Sequence, residues 1–228
     1  MTRLKISSRP FRARASAALA AGLTLAATTP VIAQRDIAVL RIGSPQSGCA
    51  MTPTETVTIY VFNYGNSLPA GTSFNTSYTI NAGAPTSELI TLGNTLLSNS
   101  ALAYSFVTQA NLSVPGSYTF AARVSLAGDI NPGNDASTGY VVINSSPSVG
   151  GTATAPPTGS SGTVSLGGYV GSITQWEQSE DGGQRWFVLD NQTTAQAFAN
   201  LRNVTRFRAR VRNGSCAEAL SSVALATP

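Results

Sequence analysis

The chain has 228 residues, 42 % hydrophobic and only 11 % charged, with no histidine and one lysine, Lys5. That length suits one large or two small domains. Without histidine, the commonest general base and any histidine-assisted nucleophile are missing, and no Cys/His cluster exists for zinc. Thr, Ser, Gly and Asn fill the place of charged residues, which favours short strands and tight turns over long helices.

The N-terminus opens with a basic leader, Arg3, Lys5, Arg9, Arg12 and Arg14, followed by an Ala- and Leu-rich run over 15–27. Val31, Ile32 and Ala33 then present a small-residue cleavage site. This order predicts a secretory signal peptide over 1–33 and a mature chain starting at Gln34. The run is too short for a membrane span of about 20 residues. The mature chain is therefore expected to be secreted, in the periplasm or outside the cell, with no transmembrane segment. Five of the fourteen basic residues belong to the leader, leaving nine arginines against ten acids, a net charge near −1. The overall pI of 9.4 thus comes from the leader and gives no reason to expect nucleic acid as a partner. No lysine remains for Schiff-base or Ser–Lys chemistry.

Beyond residue 35 a period of two dominates. Strands are predicted over 36–42, 56–63, 74–81, 88–92, 101–108, 117–126 and 138–143. Phe74, Thr76, Tyr78 and Ile80 share one face, as do Tyr118, Phe120, Ala122, Val124 and Leu126. Seven short strands with regular turns predict an antiparallel β-sandwich over 34–146. Tyr118, just past the Pro115–Gly116 corner, is placed to tie its strand to the preceding loop. Residues 147–161 read partly as linker, with an edge strand over 151–155. Further strands follow over 162–166, 173–179, 185–189, 195–198, 205–213 and 220–226. They predict a second sandwich over 147–228 with Trp176 in its core and Trp186 in a strand. The fold class is all-β: two tandem antiparallel sandwiches of the immunoglobulin or fibronectin kind.

Cys49 and Cys216 fall one in each sandwich. Export permits a disulfide, but bridging needs Cα atoms within about 7 Å. Loops of two separate domains rarely meet so closely, so two structural thiols are the expectation and a bridge the alternative.

The opening DIAVLRI, TVTIYVFNYGN (56–66), VPGSYTFAARV (114–124) and GDINPGND (128–135) resemble the bacterial cell-adhesion-related CARDB type of domain. SGTVSLGGYVGSITQWEQSEDGG (161–183) and RFRARVRNGSCAEALSS (206–222), with one cysteine near the end, resemble an immunoglobulin-like module repeated in large secreted bacterial surface proteins. Large relatives often add a C-terminal anchoring segment, whereas here Pro228 follows the last strand. The resemblance implies spacers, adhesive surfaces and assembly parts, and domains of this kind fix no single function.

Four motifs carry chemistry. Ser179, Asp181, Gly183 and Trp186 have the spacing of an Asp-box hairpin. There Asp181 accepts backbone N–H bonds, Gly182 and Gly183 take positive φ, and Trp186 packs under the turn. Arg206, Arg208, Arg210 and Arg212 alternate with Phe207, Ala209 and Val211. This puts four guanidinium groups on one strand face, either as a stripe for an acidic glycan or lipopolysaccharide or as a solvated face paired by Glu177. Asp129, Asn131, Asn134 and Asp135 share one loop with enough oxygens for Ca²⁺, but without EF-hand spacing. Asx-turn bonding accounts for the same residues. No other cofactor is implied. Glu177, Glu180 and Asp181 cluster, yet a glycosidase needs two carboxyls flanking one bond, about 5 Å or about 6.5–9.5 Å apart. The expected function is a non-catalytic structural or adhesive module meeting surface or periplasmic proteins or glycans. An anionic-ligand binder working through the arginine face is the alternative, and a carboxylate-dependent hydrolase trails both.

Overall fold

The computed structural model describes residues 34–228; the proposed signal peptide lies outside the described residues. The first eight strands are β1 (Ile37–Ser44), β2 (Gly48–Cys49), β3 (Thr58–Asn63), β4 (Ser73–Ile80), β5 (Thr86–Thr91), β6 (Ser100–Ser105), β7 (Gly116–Ser125) and β8 (Ala136–Ser145). They form a three-stranded sheet, β1-β3-β6, and a five-stranded sheet, β2-β8-β7-β4-β5. All these pairs are antiparallel except β2–β8.

The alternation that predicted the strands builds the core. Ile37, Val39, Ile59 and Val61 from one sheet and Phe74, Tyr78, Phe120, Val124 and Val142 from the other are all buried in one cluster. Each such side chain contributes about 1.5–3 kcal/mol on burial. The Tyr118 hydroxyl donates to the carbonyl of Val114 at 2.6 Å, which is the corner read from the sequence. The pairing of β7 with β8 slips between Phe120 and Ala122, where Gly139 sits at φ +78°. Glycine takes that angle without steric cost and lets the strand bulge.

The second sandwich holds β9 (Thr152–Thr154), β10 (Gly162–Gly167), β11 (Ser172–Ser179), β12 (Phe187–Leu189), β13 (Ala195–Phe198), β14 (Thr205–Arg212), β15 (Ala219–Leu220) and β16 (Ala224–Ala226). One sheet runs β13-β10-β9. The other runs β12-β11-β14-β15, with β16 also on β14. Trp176, Phe207, Ala209, Val211 and Val164 are fully buried between them. The Trp176 indole satisfies its N–H on the Thr193 carbonyl at 2.9 Å, as a buried indole must.

Three expectations change. Residues 220–226 form two strands, because the register on β14 advances by one residue between Leu220 and Ala224. Ser221 occupies the break, and its hydroxyl accepts the Ala209 N–H at 2.8 Å. Trp186 precedes β12 and belongs to the hairpin turn. The cysteines are not free: Cys49 and Cys216 are joined, with Cα atoms 4.9 Å apart. The two loops are not arbitrary neighbours. Cys49 pairs beside Ser145 at the end of β8, where the chain leaves the first sandwich. The turn after β14 folds back on that crossing. Asn213 donates its side-chain N–H to Ser146 O at 2.8 Å and its backbone N–H to Ser148 Oγ at 2.9 Å.

Candidate functional site

β14 presents its odd-numbered residues to the core and its arginines outward. Across from it, β11 places Glu177 beside Arg208. Glu177 is only 3 % exposed. Its Oε2 accepts from Arg208 Nε and its Oε1 from Arg210 Nε, both at 2.6 Å. Gln175 donates a third bond to Oε1 at 3.0 Å. Burial pushes the Glu177 carboxyl up, but the bonds and charges of Arg210 and Arg208 outweigh it and hold the group below its ordinary value. Glu218 continues the pairing, 3.5 Å from Arg210 and 3.3 Å from Arg212. The stripe is thus an alternating ladder, Arg208–Glu177–Arg210–Glu218–Arg212. Among the described residues no carboxylate lies within ion-pair distance of Arg206. The face keeps two surplus positive charges, and Arg206 is the unmatched end.

The hairpin between β11 and β12 borders that end. Asp181 Oδ1 accepts from Gln184 N, Arg185 N and Ser179 Oγ, each at 2.9 Å. The Arg185 backbone bond is the main reason its carboxyl sits below the ordinary value. Trp186 donates to Gly183 O at 3.0 Å, and Arg208 stacks 3.8 Å above its ring. A shallow cavity of about 420 Å³ opens between Trp186, Arg206, Val223 and Leu225. Glu177 and Asp181 are both held as carboxylates at neutral pH, so neither supplies the proton that a glycosidase acid must donate.

The loop between β7 and β8 carries the metal candidates. Asp129 is committed to the backbone: Oδ2 accepts from Ile37 N at 2.9 Å and Oδ1 from Asn131 N at 2.8 Å. Asn131 is exposed. Asn134 donates its amide N–H to Asp36 Oδ1 at 2.8 Å. Asp135 is buried. The sequence reading missed Asp36, Gln175 and Glu218, whose roles come from strand pairing and carry no local motif. It also missed a groove of about 630 Å³ between the open edges β5 and β6, bordered by Leu89, Leu97, Leu102 and Tyr104. There Tyr104 of one sheet donates to Glu88 of the other at 2.6 Å.

Among the described residues no helix is long and apolar enough to cross a membrane. Residues 146–227 match a protein family described as "Domain of unknown function (DUF8696)". No curated protein matches the chain. Among solved structures, the crystal structure of the CARDB domain of the PF1109 protein from Pyrococcus furiosus, in complex with di-metal ions, is 20 % identical. It covers 49 % of this chain and 94 % of that one at a TM-score of 0.35. The solution NMR structure of the same domain is 19 % identical and covers 50 % and 97 %, also at 0.35. The sandwich architecture itself rests on the strand pairing described above.

Proposed function

We propose that this chain is an exported, non-catalytic structural or adhesive module of a bacterial surface or periplasm, acting through contacts with proteins or glycans. In this reading 34–146 serves as a CARDB-type sandwich and 147–228 as an immunoglobulin-like module of the repeated surface kind. The observation that carries it is the Cys49–Cys216 bond between the two sandwiches. Such bonds persist in oxidising compartments, where a small extracellular part gains from being stapled. The basic leader and the absence of histidine from the chain support the same reading. The test is to apply oxidised residues 34–228 to intact cells and isolated envelopes. Saturable retention without shortening of any glycan is expected. No retention, or release of cut glycan, overturns the proposal.

A second reading is favoured by one observation, the surplus charge at Arg206 beside the cavity bordered by Trp186 and Leu225. It makes the outer face of β14 a docking site for an acidic glycan or lipopolysaccharide. Arg206→Glu then abolishes retention, while Arg208→Glu acts mainly by breaking the Glu177 pair. Undiminished binding by Arg206→Glu discards this face.

A further inference from the structure

Asp135 is 4 % exposed, and its Oδ1 has no hydrogen-bond partner. The Oδ1 of the adjacent Asn134 is also buried without one. Both atoms are acceptors, so neither can satisfy the other. The neighbouring groups do not help. Asp36 and Asp129 carry carboxylates, and Asn134 already spends an amide N–H on Asp36. Turning the amide round would set its oxygen against the Asp36 carboxylate. An unpartnered buried acceptor costs about 1–3 kcal/mol, and more when it is charged.

The charges around the site point the same way. Burial pushes the Asp135 carboxyl up, and the negative charge of Asp129 adds to it. Arg123 pulls it down, and Asp36 raises it further. Arg35, the other cation at this end, gives Nη1 to the Ala127 carbonyl. Asp129 spends both carboxylate oxygens on backbone N–H groups and adds only its negative charge.

We propose that Asn134 Oδ1 and Asp135 Oδ1 are the inner ligands of a Ca²⁺ site completed by Asp36 and water, with Asp129 adding its negative charge nearby. It braces the β7–β8 loop against the start of β1. All the donors are hard oxygens, which Ca²⁺ accepts in sets of six to eight with flexible geometry, whereas Mg²⁺ demands a regular octahedron. Among the described residues no three His, Cys, Asp or Glu side chains converge as a metal group. The Asn134 amide and water must therefore supply part of the shell. Backbone bonding accounts for Asp129 but leaves Asn134 and Asp135 unexplained, and the site begins with those two. Asp36 enters although it is 98 residues from Asn134.

The test is thermal unfolding of oxidised residues 34–228, titrated with CaCl₂ through about 1 mM, the range of extracellular modules. The melting temperature should rise with Ca²⁺ and fall back with chelator. Asp135→Asn should lose that rise while melting in chelator at or above the parent, because a buried like charge is gone. The exposed Asp190→Asn should keep the full rise. No response to Ca²⁺, an equal response to Mg²⁺, or an undiminished rise in Asp135→Asn overturns the site. A parent stabilised only by acidification would instead mean that Asp135 holds a proton, and would also overturn it.

Discussion

Glu177 lies beneath Arg208, its Oε2 2.6 Å from the arginine Nε, and reaches Arg210 with its other oxygen at the same distance. One buried carboxylate thus serves two strand-adjacent cations. Removing it by Glu177→Ala should destabilise the second sandwich by about 3 kcal/mol in urea unfolding. This is the low end for breaking a buried pair, because the Arg210 side chain is 33 % exposed and can turn to water. Arg208→Ala also removes the cation over Trp186 and should change the near-ultraviolet dichroism of that indole.

The same pair sets a pH dependence. Glu177 has a folded value below its ordinary 4.5, so the unfolded chain binds a proton more readily. Its contribution is complete above about pH 4.5 and is lost as pH falls through the lower folded value. Stability measured from pH 7 down to pH 3 should drop over that window, and Glu177→Gln should flatten the drop. An unchanged slope in the variant contradicts the pairing.

The cross-link makes a separate prediction. Replacing both Cys49 and Cys216 by serine should cost about 2–5 kcal/mol in equilibrium unfolding. The two buried cores share no residue. Far-ultraviolet dichroism should therefore keep its strand signal when the bond is reduced. Loss of that signal on reduction alone would show that the sandwiches cannot stand apart.

Gly183 has φ +93°, and a Cβ there would meet Arg206 Nη1 at 3.3 Å and the Trp186 ring at 3.6 Å. Gly183→Ala should cost about 1–2 kcal/mol through the left-handed backbone, with a lower melting temperature and an altered Trp186 signal. Gly93→Ala, with open space around its Cβ, should do neither.

At the open edge of the first sandwich, burial and the bond to Glu88 push the Tyr104 phenol up to about 12. Ultraviolet titration of the tyrosines should show Tyr104 titrating late, alongside Tyr140, whose phenol burial also pushes up. Glu88→Gln should bring Tyr104 back towards 10.0, its ordinary value, and leave Tyr140 where it is.

Most of the fold is legible because both sandwiches bury alternate residues of each strand. Phe74–Tyr78 and Phe207–Val211 announce themselves without any tertiary knowledge. The Asp181 hairpin and the Tyr118 corner are equally local, since each bond spans four residues or fewer. What stays hidden depends on register between distant segments. The two-residue β2 carries no periodic signal, yet its pairing with β8 places Cys49 against Cys216, 167 residues away. Glu218 looks like a loop charge until β14 brings Arg210 and Arg212 beside it. Asp36 reads as the first residue of a strand, and only the fold sets it against Asn134.

The most direct test of the central claim is the intact mass of the protein recovered from its native cell envelope or medium. A chain beginning at Gln34, with Cys49 and Cys216 joined and no free thiol, is the predicted result. A cytoplasmic chain beginning at Met1 with both thiols reduced would contradict a module that works outside the cytoplasm.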